Sequence, residues 1–544
     1  MTDMNGTQLL EMAELAGVCV RPVIRKRIDL DTGEEHYVPI PCGSTRANVC
    51  GPCAEKARQL RITQCREGWH RDVEPDGFGD APDESEPEQD GDQADTPEEV
   101  EESSARRRRS TRRRDDAGDL PKSPTADTTL GRTFTSPDGK AYRPSMFLTF
   151  TLPSYGPVHT ASRRNGRAVR CRCGGRHTDG EGIAGTPIDP KHGYDYRKAA
   201  LDALHFPKLV DRLFQNLRRA ADYKVQYFAT VEPQHRLALH LHAAVRGTIP
   251  RKTVRQVVDG TYHQVWWPQH KEPVYTGGRL PAWDDYQGGY VDPDTRVLLP
   301  TWDQALDAID PDNDKPAYVI RAGKQFDYQG LIATNEREVA NSVRYLTKYL
   351  TKSIAETYDP DTLSKHQREH RDRLHREVRW LPCSPKCANW LRFGVQPKDA
   401  AEGMRPGECG KKAHELDNLG HGGRRVLVSR QWSGKRLDEH KADRAAVVRE
   451  VLDEAGIEMP DTERYAADAV NDDGQPRYRW ESLNLDLADG DADNVPIFRE
   501  LVRQAITERN RWRTQYERAR EVIASRDRPP ENRSATDQDA ASAA

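Results

Sequence analysis

The sequence has no apolar run of 18 residues, and its opening stretch, MTDMNGTQLLEMAELAG, contains no Lys or Arg. A membrane-spanning helix needs about 20 mostly apolar residues and a secretion signal needs a basic start, so neither is expected. The chain is read as cytoplasmic, with no membrane partner. Apolar residues are scarce, at 35% of 544, aromatics make up 7%, and 31% of residues are charged. Part of the length must therefore lie outside any core. Lys and Arg are missing altogether from residues 72–102, which carry 15 acids; without that stretch the net charge of −4 becomes +11. The acidic balance does not exclude a nucleic-acid partner, because the remainder can hold phosphate.

Composition shifts divide the chain. Residues 1–71 form a cysteine-rich module, and 72–130 read as a disordered linker in which the acidic block is followed by RRRRSTRRR. A catalytic domain is expected over 131–440, with a surface insertion near 275–315, and a helical region with a frayed tail over 441–544. The expected fold class is α+β, with a central antiparallel sheet flanked by helices. SMFLTFTLP (145–153) alternates as a strand does and stops at Pro153. Between Tyr196 and Tyr223, apolar residues recur at helical spacing, with Pro207 marking a break between one or two helices. A further helix is expected from Asn335 to about Ile354.

VQYFATVEP and LALHLHAAVRG, joined by QHR, read as a hairpin. His240 and His242 fall on one face of the second strand, and Leu239, Leu241 and Ala243 on the other. A turn near 235–237 sets Glu232 roughly opposite His240, so two nitrogens and a carboxylate converge. Such a set binds a divalent cation and leaves positions open for phosphate. His235 and Gln234 are the substitutes if the turn is shifted by one. Downstream, RYLTKYLTKS carries Tyr345 and Tyr349 four apart on one helix face, with Lys348 and Lys352 beside them. A tyrosine hydroxyl can attack a phosphodiester when a metal polarises the phosphoryl group and a cation lowers the cost of the phenolate.

Taken in order, FLTFTLP, HLH and YLTKYLTK resemble the three motifs of the HUH endonuclease superfamily, in its rolling-circle replication initiator branch. PCGSTRANVCGPC, ALHFPKLVDRLFQNLRRA, YFATVEPQHRLALHLHAAVRG, YLTKYLTKS and LGHGGRRVLVSRQWSGK are similar to initiators of actinobacterial (Streptomyces-type) plasmids and integrating conjugative elements, over roughly residues 37–440. The resemblance implies that His240 and His242, with Glu232, hold Mg2+ or Mn2+. It implies Tyr349 as the nucleophile flanked by Lys348 and Lys352, and Tyr345 as a second tyrosine. The implied reaction nicks one strand of an origin, exposed as single strand or hairpin, through a 5′-phosphotyrosyl link and leaves a 3′-OH that primes a host DNA polymerase, with a host helicase as a further partner. The rivals are a relaxase or transposase with the same chemistry, and a non-catalytic zinc-stabilised DNA-binding regulator. His242 and Tyr345 are about a hundred residues apart, stretched by 275–315, whereas compact initiators are shorter.

The ten cysteines fall in short spacings that suit metal or reduced thiols better than a disulfide framework. Cys42, Cys50, Cys53 and Cys65 offer four thiolates around a CxxC knuckle, a structural zinc candidate. Cys171, Cys173 and His177, with His192 as a fourth ligand, make a second. Cys383, Cys387 and Cys409 have no evident fourth partner and are expected to be independent.

Overall fold

The computed structural model describes residues 5–69, 71, 73–75, 114–139, 141–310, 312–332, 336–348, 350, 352, 354, 357–358, 363–457, 469–471, 474–482 and 496–526. The chain forms two compact units, one of residues 1–64 with 435–544 and one of residues 65–434. Among the described residues no helix is long and apolar enough to cross a membrane.

The first unit joins the two ends of the chain, which composition had separated into a module and a tail region. Its sheet explains why: Val23–Asp29 pairs antiparallel with Glu35–Ile40 on one side and with Tyr478–Ser482 on the other. The helix Gly6–Ala16, capped by Asn5 and Gln8, buries Leu9 and Ala13 in a core with Phe498, Leu501, Val502 and Ile506 of the helix Pro496–Arg526. The two ends thus share one core.

The second unit is built on a five-stranded antiparallel sheet. Its elements are β1 (Pro144–Thr151), α1 (Tyr196–Ala220), β2 (Tyr227–Pro233), β3 (Leu239–Arg246), β4 (Phe326–Ile332), α2 (Glu336–Thr347), α3 (Lys365–Trp380) and β5 (Val426–Val428). The sheet order is β4-β1-β3-β2-β5. Alternation splits it into two faces. Met146, Leu148 and Phe150 of β1, Ala229 and Val231 of β2, and Leu239, Leu241 and Val245 of β3 enter one core with α1. The other face carries Thr149, Thr151, Thr230, Glu232, His240 and His242.

α1 is a single helix that runs through Pro207, where a break was expected. An interior proline costs about 3 kcal/mol. Burying Leu209, Val210, Leu213, Phe214 and Leu217 on the sheet returns about 1.5–3 kcal/mol each, which outweighs it. Residues 76–113 of the expected linker lie outside the described residues, but the disorder expected up to 130 does not hold for 114–130. There Thr129 and Leu130 are buried, the Glu74 carboxylate accepts from the Thr129 amide at 2.8 Å, and Ala126 bridges to Tyr223. The insertion at 275–315 is folded too, with a hairpin of Ala282–Asp284 and Gly289–Val291, a helix Trp302–Asp307, and Tyr290, Leu299 and Trp302 buried.

Candidate active site

The hairpin β2–β3 turns through Gln234, His235, Arg236 and Leu237, closed by the Leu237 amide donating to the Gln234 carbonyl at 2.7 Å. Leu237 is buried at φ 59°, in the left-handed region that favours glycine, so its apolar contacts offset a backbone cost of about 1–3 kcal/mol. Arg236 braces the turn by donating to the carbonyls of Leu152 and Pro153, both at 2.7 Å. This fixes the register: Glu232 pairs with His240, and Thr149 and Thr230 flank His242.

On the polar face the two imidazoles converge, with their Nε2 atoms 2.6 Å apart. Glu232 Oε2 lies 3.8 Å from His242 Nε2, and all three ligand atoms fall within 4.8 Å of one another. Thr149 Oγ1 sits 2.9 Å from His242 Nδ1. With Nδ1–H donating to that hydroxyl, the Nε2 lone pair faces the cluster. Glu232 Oε1 and His240 Nδ1 are buried with no hydrogen-bond partner. Leaving a buried carboxylate oxygen unsatisfied costs about 1–3 kcal/mol or more, so this donor set fits a cation.

Burial sets the protonation states. It pushes the Glu232 carboxyl up to about 7, against the pull of the positive charges on Arg425 and Lys348. It pushes His240 down to about 3 and His242 to about 4, so both imidazoles are neutral at neutral pH, the state that binds metal. Cation binding must therefore displace a proton from Glu232 below neutrality and not from the histidines. Mn2+ affinity is expected to drop about tenfold per pH unit below about 7 and to level off above it. Glu232→Gln should flatten that profile. Calorimetric titration across pH checks this; an inflection at the ordinary imidazole value in both proteins would contradict it.

α2 brings a phenol to this cluster. Val339, Val343 and Leu346 are its buried face, while Tyr345 stands 46% exposed with its hydroxyl 3.3 Å from His242 Nε2. Its ring meets His242 edge to face at 4.9 Å and Phe147 at 5.8 Å. The helix expected to reach Ile354 ends at Thr347. There the Thr347 hydroxyl donates to the Val343 carbonyl at 2.8 Å, and the next amides, Lys348 and Leu350, reach back only three residues, which tightens the chain out of α-geometry. Tyr349 lies outside the described residues. Lys348 is exposed just past the helix, and Lys352 lines a cavity of about 1130 Å³. Thr149, Thr151, Glu232, His240, His242 and Tyr345 line that cavity as well. Four cations, Arg255, Lys324, Lys352 and Arg425, face it against two acids, Glu232 and Asp327.

Against known proteins, a family model described as replication initiator protein, pSAM2 (RepSA), matches residues 5–132 and 128–492. The chain belongs to the RepSA family. A Streptomyces ambofaciens protein named replication initiator protein is 29% identical over 233 residues, 39% of this chain and 43% of the relative. The chain thus aligns with less than half of that relative's length. No solved structure matches.

Three further clusters in this RepSA-family chain draw on residues that spacing alone did not join. Cys42, Cys50 and Cys53 meet Cys19, not Cys65. Cys65 sits twelve residues after Cys53 on one helix, roughly 18 Å along its axis at 1.5 Å per residue, and is itself buried. Cys171, Cys173 and His177 meet His159, not His192. Cys173 Sγ is 3.0 Å from His177 Nε2, His159 Nδ1 is 3.3 Å from the same atom, and Glu181 holds the other side of that ring at 3.1 Å. Burial raises the Cys171 thiol, but the backbone amides of Cys173 and Thr160 outweigh it and bring it to about 6. Cys383, Cys387 and Cys409, expected to be independent, converge with His414. Cys19 and His159 carried no signal at metal-ligand spacing, whereas His414 follows Cys409 at a Cys-x4-His spacing that could have found it. Thr149, by contrast, was legible as a polar position in FLTFTLP.

Proposed function

We propose that the chain is a rolling-circle replication initiator with a HUH-type site, which nicks one strand of an origin and rejoins it through a 5′-phosphotyrosyl link. The observation that carries this reading is the Tyr345 hydroxyl, 3.3 Å from His242 in a cavity that also holds His240 and Glu232. A divalent ion held by His240, His242 and Glu232 would polarise the scissile phosphate. Two imidazole donors favour Mn2+ over Mg2+, which prefers oxygen. The excess of cations around the cavity suits a strand's phosphates.

In this reading the roles that the resemblance implies for the two tyrosines are exchanged, and Tyr345, whose hydroxyl reaches His242, attacks phosphorus through Oη. The Oη–P bond forms, the bond from phosphorus to the 3′ oxygen breaks, the phenolic proton is lost and the departing oxygen ends as a 3′-OH. Lys348 and Lys352 lower the cost of the developing phenolate. The phosphotyrosyl ester keeps the energy of the broken bond, so rejoining needs no nucleotide hydrolysis. The 3′-OH would prime a host polymerase behind a host helicase, and Tyr349 would accept the second transfer. Histidines that precede the tyrosine in the chain favour an initiator over a relaxase. We also infer structural Zn2+ at Cys19, Cys42, Cys50 and Cys53 and at His159, Cys171, Cys173 and His177.

The test is incubation of the full chain with a labelled single-stranded origin oligonucleotide and Mn2+. A covalent adduct that disappears with chelator is expected; binding without an adduct would instead favour a non-catalytic regulator. Within the site, Thr149→Val keeps the side-chain shape but removes the hydroxyl that orients His242. It should weaken Mn2+ binding about tenfold, the size expected of an outer-sphere partner. Unchanged affinity by calorimetry would remove Thr149 from the site.

A further inference from the structure

The chain after α3 folds back twice onto the end of that helix. Cys383 and Cys387 lie in the turn that leads into the short helix Ala388–Phe393, and Cys409 and His414 come from a second turn about twenty residues on. Their four ligand atoms lie within 4.8 Å of one another. His414 Nδ1 is 3.0 Å from the carbonyl oxygen of Val378 on α3. A carbonyl only accepts, so Nδ1 carries the proton and the Nε2 lone pair faces inward, where Cys387 Sγ lies at 3.5 Å. Cys383 Sγ and Cys409 Sγ are 4.0 Å apart. A disulfide needs about 2.05 Å. Sulfurs around a tetrahedral ion with bonds of about 2.3 Å stand about 3.8 Å apart.

We propose that Cys383, Cys387, Cys409 and His414 bind one structural Zn2+ ion. Three thiolates and one imidazole close a tetrahedron and leave no position for water, which makes the site structural and not catalytic. Its neighbours say what it would hold. Cys387 belongs to a buried cluster with Trp302, Leu306, Trp390, Phe393 and Val395, and Cys383 and Cys409 pack against it. Trp302 opens the helix of the 275–315 insertion, and the Trp390 ring packs against it at a tilt, with centroids 4.9 Å apart. The ion would staple the end of α3, through Val378 and His414, to the core beneath that insertion. The inference is independent of the nuclease reading, since none of these residues lines the Tyr345 cavity.

The experiment measures zinc per chain in the full-length protein by elemental mass spectrometry, for wild type and for the Cys387→Ser, Cys409→Ser double variant. A loss of one equivalent is expected, whatever the wild-type content; equal content in the two proteins would overturn the site. If the variant does not fold, native wild type is alkylated with and without a zinc chelator and the labelled cysteines are mapped. Cys383, Cys387 and Cys409 should become reactive only with chelator, while Cys65, buried away from any cluster, stays protected as a control. Labelling of the three before chelation, no labelling after it, or a Cys383–Cys409 disulfide in the unreduced digest would each overturn the proposal.

Discussion

Tyr345→Phe is expected to reduce covalent adduct formation by at least about a thousandfold, the scale of losing the nucleophile in covalent catalysis. The substitution removes one oxygen and keeps the ring that packs on His242 and Phe147. Because the position is half exposed, the stability change should stay within about 0.5 kcal/mol. A lost adduct would then report chemistry and not unfolding. Tyr345 lines the cavity, whereas Tyr349 lies outside the described residues. Tyr349→Phe should leave the first adduct intact and impair only the second transfer. Gel analysis of both single variants against wild type separates the two roles; an adduct of undiminished yield in Tyr345→Phe would reverse them.

His240→Ala and His242→Ala should each weaken Mn2+ binding by more than about a hundredfold, because outer-sphere partners alone account for about 10–100-fold and these are direct donors. Nicking should fall in parallel at any fixed Mn2+ concentration below saturation. The same variants carry a pH signature independent of metal. Burial holds both imidazoles well below the ordinary value of 6.5, at about 3 and about 4. As pH falls through 6.5 the unfolded chain takes up these protons first, so the two imidazoles cost metal-free stability progressively down to about 4 for His242 and about 3 for His240. Each alanine variant removes one of those protons from the balance and should lose less stability on acidification. Denaturant titrations at neutral and acid pH check this, and equal acid sensitivity of wild type and variants would contradict the burial.

The polar face of the sheet was legible because strand alternation is strict. LALHLHAAVRG assigns its histidines and its leucines to opposite faces, while the hairpin length left the third ligand open among Glu232, Gln234 and His235 until the register paired Glu232 with His240. Thr149 and Thr151 follow the same alternation in FLTFTLP, and only their register with His242 and His240 needed the structure. The ligands Cys19 and His159 were not legible, because tertiary packing brings each to its cluster from outside any recognisable spacing, but His414 stands at a Cys-x4-His spacing from Cys409 and was open to reading. The end of α2 at Thr347 was hidden for a different reason. YLTKYLTKS contains no Gly or Pro, and the hydroxyl of Thr347 that bonds back to the helix is silent in a hydrophobic pattern. The shared core of the two chain ends likewise depends on the pairing of Val23–Asp29 with Tyr478–Ser482, some 450 residues away.

The central claim is that this site joins a tyrosine to DNA. Its most direct test is mass spectrometry of the peptide left on a single-stranded origin oligonucleotide after reaction with Mn2+ and proteolysis. The account predicts a 5′-phosphate remnant on the peptide carrying Tyr345, at the Tyr345 oxygen. No covalent remnant at Tyr345 in the wild-type protein, under conditions where the oligonucleotide is bound, would contradict it.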